Sequence, residues 1–533
     1  MKNRGFSFKA GTLCVLAIAG ATGLPTNVFA DEVTLKSADG TVNLTGEFIA
    51  FEDNSYTVRT PLGDLRIAAS RVTCEGAACP TFEVESADIQ IAGSNAFGVG
   101  LMPLLLEGFA VSKDAAATMN NLEDGRTMVA ELVADAGYGD EIGSFLVVSD
   151  GSNDAFANLL SGEAQIGMSS RRIRPDEARA LRDAGGGMMI DPGQEHLIAL
   201  DSLVVIVNPD NPVQSISLKD LGGIYSGEIT NWSQLGGADA PITVVGRQED
   251  SGTSALFYRN ILGPSDDWRF SDDLQVARNN NEAASMVAED VNAISFVGYA
   301  FQRGNRPVTI INDCGIAMTP NAFAARTEEY GLQQRMYLYN RADVDKAEVR
   351  EFLAYAASPA ADSVIAKSGF IGLAIDRQEQ SMESPRAQLL QDPNADVYEA
   401  RFMQDMLSTM VGYDRLSTTF RFRTGSSTLD ERGRFDMQRL ADYLRTNDPE
   451  AEVVFVGFTD NVGAFDSNLE LSKERAAKVM QDFRDYIGDD LPNLQTASMG
   501  YGAIAPSGCN AQDDGRRINR RVEVWIKSPG QAG

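Results

Sequence analysis

The sequence is poor in the residues that most hydrolytic and metal-dependent sites use. Its 533 residues include one histidine, His196. A single imidazole cannot build a histidine-rich metal cluster, and a nucleophile needs a base beside it. We therefore expect no catalytic residues, no metal and no cofactor. His196 is predicted to be a structural residue at the start of a strand over residues 196–207.

Long apolar runs are also absent. After the first 30 residues, no stretch contains the ~18 apolar residues that a membrane-spanning helix requires. Residues 1–30 have the pattern of a secretory signal peptide, with Lys2, Arg4 and Lys9 before a short apolar run and Val28-Phe29-Ala30 as a cleavage site. We expect a cleaved, exported and soluble chain.

Positive charge is scarce. The sequence has 46 Lys and Arg against 75 Asp and Glu, a formal charge of −29. Removing the signal peptide takes away three positive charges and no negative ones, which gives about −32. A chain this acidic is not expected to bind nucleic acid, whose affinity depends on cationic side chains that release counterions. Any anion pocket must rely on local dipoles and one or two arginines.

Cysteines are few, and four of the five lie beyond the signal peptide. Cys74 and Cys79 flank a short turn, and in an oxidising compartment this spacing predicts a local disulfide. Cys314 and Cys509 lie far apart in sequence, and the sequence does not decide whether they pair.

The chain changes character near residue 86. Residues 31–85 alternate apolar and polar side chains between turn signals, which predicts a small antiparallel β module of four or five strands. Beyond it, strand–turn–helix units predict α/β layers, with ligands at the carboxyl ends of the strands. Ser94, Ser152, Ser170 and Arg247 are all predicted to lie at such ends.

The segment Arg247–Ser254 has the chemistry of an oxyanion cradle. The guanidinium of Arg247 can donate two hydrogen bonds to two oxygens, and the hydroxyls of Ser251, Thr253 and Ser254 add further donors. Gly252 allows close backbone approach, and the first N–H groups of a following helix point at the anion. The alternative is an ordinary Ser/Thr helix cap.

Seven segments resemble the periplasmic phosphate-binding proteins of ABC importers, the PstS-like receptors with a type 2 periplasmic binding fold. In chain order they are Gly93-Ser-Asn-Ala-Phe, Gly151-Ser-Asn, Ile166-Gly-Met-Ser-Ser-Arg, Gly227-Glu-Ile-Thr-Asn-Trp, Arg247–Ser254, Ala293-Ile-Ser-Phe-Val-Gly-Tyr and Arg335-Met-Tyr-Leu-Tyr. The resemblance covers about residues 86–375. It implies two α/β lobes that close over one buried phosphate or related oxyanion.

Carried over residue by residue, the resemblance implies one set of phosphate-binding positions: Ser94, the backbone of Ala96 and Phe97, Ser152, Ser170, Arg247, Ser251, Gly252 and Thr253. Two positions depart from the family. Ser170 stands where these receptors usually have an aspartate, and Asp250 follows Glu249 where they have glycine. A carboxylate acceptor selects protonated phosphate over sulfate, so Ser170 weakens that selectivity unless Asp250 supplies the acceptor.

Residues 376–410 are predicted to form a flexible polar linker with a connecting helix. Residues 411–527 then alternate strands and helices and resemble the OmpA-like peptidoglycan-binding domain. The resemblance rests on Gly457-Phe-Thr-Asp-Asn-Val-Gly, Asn468-Leu-Glu-Leu-Ser-Lys-Glu-Arg-Ala, Met499-Gly-Tyr-Gly and Asn519-Arg-Arg-Val-Glu. It implies that Asp460 and Arg475 hold the ammonium and carboxylate of diaminopimelate, with Asn468 in the same motif.

The expected fold is therefore multidomain, with a small N-terminal β module, a two-lobed α/β binding domain and a C-terminal α+β OmpA-like domain. The favoured function is a periplasmic receptor for phosphate or a similar oxyanion, anchored to peptidoglycan and capturing phosphate for an ABC permease. The alternative is an envelope structural or adhesion protein that reuses the binding fold without transport. A phosphatase is disfavoured because no base accompanies Ser251.

Overall fold

The structure, a computed structural model, describes most of the chain beyond residue 31. The described residues are 32–36, 43–52, 55–61, 63–68, 72–76, 78–79, 87–122, 124–248, 251–265, 267–422, 429 and 432–529. The predicted signal peptide and Asp250 lie outside them. By its internal contacts the chain divides into two compact units, residues 1–83 and 84–533. Among the described helices, none is both long and apolar enough to cross a membrane.

The first unit is a five-stranded antiparallel sheet in the order β4-β3-β2-β1-β5. Its strands are β1 Glu32–Lys36, β2 Asn43–Glu52, β3 Ser55–Thr60, β4 Gly63–Ala68 and β5 Thr73–Glu75. Alternate residues such as Val33, Leu35 and Val58 form its core, as the period-2 pattern predicts. A disulfide of 2.04 Å joins Cys74 to Cys79.

The second unit begins with an α/β region. Its strands are β6 Ile89–Gly93, β7 Ala115–Asn121, β8 Thr127–Val133, β9 Glu141–Val148, β10 Ile166–Ser169, β11 Glu195–Val207, β12 Ser215–Ser217, β13 Thr243–Arg247, β14 Gln275–Ala277, β15 Ala293–Gly298, β16 Arg306–Pro307, β17 Thr309–Ile311, β18 Ala317–Met318 and β19 Gln333–Asn340. Its helices are α1 Asn95–Gly100, α2 Met102–Ser112, α3 Ala134–Gly137, α4 Ser152–Ser161, α5 Pro175–Asp183, α6 Leu218–Ser226, α7 Gly252–Phe257, α8 Asn280–Glu289, α9 Ala322–Arg326, α10 Ala347–Ala356 and α11 Asp362–Ser368. Short 3-10 helices lie at Trp232–Leu235, Tyr299–Phe301 and Pro359–Ala361, and α7 continues as a π-helical turn over Tyr258–Leu262.

Two hydrophobic cores divide this region into lobes. The core of the first lobe draws on residues between Ile89 and Ala199 and between Met336 and Phe370. The core of the second lobe lies between Leu203 and Leu332. Strand β11 serves both lobes, because its first part pairs with β19 and its last five residues pair with β15. Strands β11 and β19 therefore form the crossing between the lobes.

The C-terminal region forms its own five-stranded sheet in the order β20-β21-β24-β22-β23. The strands are β20 Arg377–Glu379, β21 Asp414–Arg421, β22 Glu452–Phe458, β23 Gln495–Gly500 and β24 Arg521–Lys527. The helices are α12 Pro385–Leu389, α13 Val397–Met410, α14 Gly433–Asn447, α15 Phe465–Ile487 and α16 Asp513–Asn519. Apolar residues of α14 and α15 pack with one set of sheet residues, and those of α12 and α13 pack with another.

Residues 376–410 are predicted to form a flexible polar linker with a connecting helix; the structure has the helix, α13, but the segment before it packs on the C-terminal domain and is not a free linker. Strand β20 pairs with β21, which makes the start of this segment part of the C-terminal sheet. Ala387, Met406 and Met410 are buried against residues of the C-terminal core. The apolar side chains among the polar residues anchor this segment, because burying them removes apolar surface from water.

A buried carboxylate fixes the C-terminal domain to the second lobe. Glu328 follows α9 and is 1% exposed. Its oxygens accept from the guanidinium groups of Arg421 at 2.9 Å, Arg432 at 3.2 Å and Arg517 at 2.9 Å, all from the C-terminal domain. It also pairs with Arg335 on the crossing strand β19. A buried carboxylate of this kind is tolerated because several charged donors replace its hydration.

A second carboxylate and a disulfide extend this contact. Glu329 accepts from Arg415 at 2.8 Å, from Arg386 at 3.3 Å and from the Ser507 hydroxyl at 2.8 Å. The disulfide between Cys314 and Cys509 joins residues 195 positions apart, one from each domain. The binding region and the C-terminal domain are thus docked together, contrary to the sequence-based expectation of free domains on a tether.

Candidate functional site

The predicted anion ligands of the first lobe meet at the carboxyl ends of two parallel strands, β6 and β10. The backbone N–H of Ser94 donates to the carbonyl of Met168 at 2.8 Å, which ties the end of β6 to β10. The hydroxyls of Ser152 and Ser170 lie 3.1 Å apart, and the N–H of Ser170 donates to Ser152 Oγ at 3.0 Å. The structure therefore brings Ser94, Ser152 and Ser170 to one edge of the first lobe.

Glycine is required at the end of β6. Gly93 has a φ of +140°, and a Cβ placed there would lie 2.0 Å from the carbonyl oxygen of Met168. This conformation turns the chain directly into α1, so that the N–H groups of Ala96 and Phe97 belong to the first turn of that helix. The side chain of Phe97 is buried in the first-lobe core and holds the helix in place.

In the second lobe, Arg247 ends strand β13 and is 8% exposed. Its Nη1 donates to Asn280 Oδ1 at the start of α8, and its carbonyl accepts from the hydroxyl of Ser254 at 3.0 Å. Ser251 is the N-cap of α7, and its Oγ accepts from the N–H of Ser254 at 3.0 Å. Ser251 is thus an ordinary helix cap and, at the same time, a member of the predicted ligand set.

The two lobes approach each other at helices that follow predicted anion ligands. Helices α1 and α7, which carry Phe97 and Thr253, come within 8 Å of each other between Cα atoms. The helix that follows Ser94 and the helix that follows Ser251 therefore approach each other across the two lobes. Such an arrangement offers hydrogen-bond donors and one cation, which suits an oxyanion.

The predicted wall-binding residues also come together. A cleft of about 590 Å³ in the C-terminal domain is lined by Thr459, Asp460, Val462, Asn468, Leu471, Arg475, Asp513, Asp514, Arg516, Arg517 and Arg520. We call it the C-terminal cleft. Asp460 lies just after β22, while Asn468 and Arg475 lie on α15, so strand and helix deliver the residues to one cleft.

Asp460 is already engaged within the C-terminal cleft. Its Oδ2 accepts from Arg520 Nη1 at 2.7 Å, and its Oδ1 accepts from the N–H of Val462 at 3.1 Å. Asn468 donates to the carbonyl of Val462 at 3.2 Å, so it holds the loop that carries Asp460. A ligand ammonium would therefore share the Asp460 carboxylate with Arg520.

Arg475 is 3% exposed, and its guanidinium lies 5.0 Å from the ring centre of Phe422. Burial lowers the pKa of Arg475, the nearby Arg520 lowers it further, and Asp460 partly offsets both effects. Two guanidinium groups beside one carboxylate leave local positive charge, which favours a ligand that brings a carboxylate.

Comparison with known families agrees with this architecture. A family model described as a PBP superfamily domain matches residues 83–360, which is more than half of the chain. The chain belongs to the PBP superfamily. A second model, described as the OmpA family, matches residues 421–520. The fold is thus a PstS-like PBP superfamily domain joined to an OmpA domain.

Relatives of this PBP superfamily chain include proteins named phosphate-binding protein PstS. The one from Bacillus subtilis is 28% identical over 230 residues, covering 42% of this chain and 70% of that protein. The one from Borreliella burgdorferi is 23% identical over 231 residues, covering 42% of this chain and 78% of that protein. A similar solved structure is an ABC-type phosphate transport receptor from Vibrio cholerae, at 23% identity and a TM-score of 0.40, covering 53% of this chain and 99% of that chain.

Sequence reasoning missed two side chains that contact the predicted ligands. Asn280 bonds to Arg247, and Arg520 bonds to Asp460. Asn280 lies in the run Asn279-Asn280-Asn281, which marks a helix start but does not reveal a partner 33 residues away. Arg520 lies inside the Asn519-Arg-Arg-Val-Glu motif, and that motif could have pointed to its contact with Asp460.

Proposed function

We propose that the protein is a periplasmic receptor for phosphate or a closely related oxyanion, held at the cell wall by its C-terminal domain. The observation that supports the receptor most strongly is the near-complete burial of Arg247 at the end of β13, beside the hydroxyl of Ser254. A buried guanidinium in so acidic a chain suits an anionic ligand better than a purely structural role. The PstS relatives bear names that state the same ligand.

The proposal includes delivery of the captured anion to an ABC permease, and it does not include catalysis. The site supplies donors and a cation to hold an anion. The Ser251 hydroxyl accepts from the N–H of Ser254 and so caps α7. Binding without chemistry is therefore the role for which this geometry is suited.

Calorimetric titration of the mature protein with phosphate, arsenate and sulfate tests the receptor. We expect one phosphate per chain with a micromolar or tighter Kd, about −8 kcal/mol or better. Arg247→Ala should weaken phosphate binding by at least about 100-fold, because the buried anion loses its countercharge. Arg278→Ala is the matched control, since that arginine's side chain is 80% exposed and pairs with Glu282 on the surface. Equal titration heats in Arg247→Ala and the wild type would contradict the proposal.

Sedimentation with purified peptidoglycan that contains meso-diaminopimelate tests the wall anchor. Asp460→Ala and Arg475→Ala should each abolish co-sedimentation, because either change leaves half of a zwitterionic group without a partner. Glu470→Ala and Lys478→Ala are controls on the exposed side of the same helix. If the Asp460 and Arg475 variants sediment as well as these controls, the C-terminal cleft is not the wall-binding site.

A second function, an envelope structural or adhesion protein, is favoured by a separate observation. The N-terminal five-stranded unit has its own core and disulfide, and an import receptor does not require it. A protein that sediments with peptidoglycan but gives no heat with any of the three anions would support this alternative.

A further inference from the structure

Asp201 lies at the point where the crossing strand passes from one lobe to the other. It is opposite Gln334 in the pairing of β11 with β19, and two residues later Leu203 is opposite Gly298 in the pairing with β15. On the first-lobe side, Ser169 at the end of β10 is opposite Tyr337 of β19. Along the crossing strands, Asp201 therefore lies between the level at which β10 ends, next to Ser170, and the level at which β15 ends.

Amides hold the Asp201 carboxylate. Gln334 Nε2 donates to its Oδ2 at 3.2 Å, and the N–H groups of Ser202 and Tyr299 also bond to it. The residue is only partly buried. Oδ1 would lie 3.4 Å from a Cβ built on Gly298, and glycine leaves that space open.

Asp201 is also connected to the predicted anion ligands of the second lobe. The N–H of Gly298, beside Asp201, points at Asn280 Oδ1 at 3.4 Å, and the same oxygen accepts from Arg247 Nη1. Gly298 and Asn280 thus join the carboxylate to the guanidinium. The charged groups and the histidine on the crossing strands have other partners: Arg335 pairs with Glu328, Glu195 pairs with Arg172, and His196 bonds to Asn340. Of the tyrosines, Tyr339 donates to Glu195, and Tyr337 accepts from Arg335.

We propose that Asp201 is the proton acceptor of the interlobe anion site and determines its preference for protonated phosphate over sulfate. This rests on the proposed receptor function. The family's aspartate is replaced by Ser170, whose hydroxyl bonds to Ser152, and a hydroxyl can donate as well as accept. An ionised Asp201 can only accept, so it bonds to the proton of a P–OH group and repels sulfate, which carries no proton.

The acceptor works only while it is ionised. Burial raises the pKa of Asp201 to about 6, against hydrogen bonds from Gln334, Ser202 and Tyr299 that lower it. Above this pKa the carboxylate rejects sulfate. Below it the neutral acid can donate to a sulfate oxygen, so the preference for phosphate should fade as the pH drops through 6.

Titration with sulfate at pH 7.5 and 5.5 is the direct test, because sulfate itself does not change protonation in this range. If sulfate binds only when Asp201, with its pKa near 6, is protonated, the sulfate affinity of the wild type should rise roughly 20-fold from pH 7.5 to pH 5.5. A flat profile would overturn the proposal without any variant. In Asp201→Asn, the amide can donate at any pH, so sulfate binding at pH 7.5 should increase about tenfold and lose its pH dependence.

Two comparisons make the outcome unambiguous. Asp210→Asn, an exposed aspartate in the turn after β11, should behave as the wild type. A pH response that persists in Asp201→Asn would come from another titratable group, such as His196 or Glu195 on β11, and would overturn the role of Asp201. If the wild type binds neither anion at any pH, the receptor function fails. If it binds phosphate and Asp201→Asn keeps the same phosphate-to-sulfate ratio, only this inference fails.

Discussion

Replacing Glu328 with glutamine should weaken the docking of the C-terminal domain more than a glutamate-to-glutamine substitution at the surface does. Glu328 is 1% exposed and accepts from four arginines: Arg335, Arg421, Arg432 and Arg517. Glutamine keeps the shape and one acceptor oxygen but removes the only formal negative charge of this residue. The guanidinium groups of Arg421 and Arg432, themselves nearly buried, then lack that countercharge.

The size of the effect follows from burial. Removing one partner of a buried ion pair typically costs about 3–5 kcal/mol, and the retained amide oxygen places Glu328→Gln near the lower end, at about 3 kcal/mol. Glutamine has the same backbone preference as glutamate, so the positive φ of 60° at this position contributes equally in both proteins. Glu351→Gln is the control, because Glu351 pairs with Lys113 on the surface and such pairs contribute about 0–1 kcal/mol.

Urea unfolding followed by far-UV circular dichroism measures the free energy of unfolding of both variants. The reasoning requires a clearly larger loss for Glu328→Gln than for Glu351→Gln. If the two variants lose the same amount, the arginines around Glu328 are satisfied without it, and the contact does not hold the domains together.

Three further predictions follow from other contacts. Burial favours the neutral form of Glu329, but Arg415 and Arg386 outweigh it and lower its pKa to about 2. The stability that this pairing contributes is therefore present above the unfolded pKa of about 4.3 and lost as the pH falls towards 2, so in acid titrations the slopes of the free energy of unfolding against pH should differ between the wild type and Glu329→Gln only in that range. Cys314→Ser with Cys509→Ser should reduce the free energy of unfolding by about 2–4 kcal/mol, and dithiothreitol should then have a smaller effect than on the wild type. Ser170→Asp should preserve the preference for phosphate over sulfate at pH 5.5, which competition titration measures, because a second carboxylate then accepts the phosphate proton.

The sequence predicted the parts of this protein that depend on local pattern. The hydroxyl-bearing turns after β6, β10 and β13 could be identified because ligands bind at the carboxyl ends of strands in this class of fold. The helix that bears Arg475 could be identified from the helical spacing of its apolar residues. Asn280 and Asp201 could not, because their neighbours are set by strand register and by contacts distant in sequence.

The docked C-terminal domain escaped prediction for a related reason. Residues 376–410 contain turn-forming residues that indicate a linker, yet their few apolar side chains decide where the segment packs. Glu328 and Glu329 resemble a solvated acidic pair until the arginines that surround them are known. The partner of Cys314 is 195 residues away, a separation at which no spacing rule applies.

Glu328 contacts both a crossing strand and a residue of the C-terminal cleft. It pairs with Arg335 on a crossing strand and with Arg517, which lines the C-terminal cleft. Glu328, Glu329 and the Cys314–Cys509 disulfide therefore hold the second lobe and the C-terminal domain in one fixed arrangement. Under the proposed function, a wall contact at that cleft would therefore also fix the orientation of the second lobe relative to the wall.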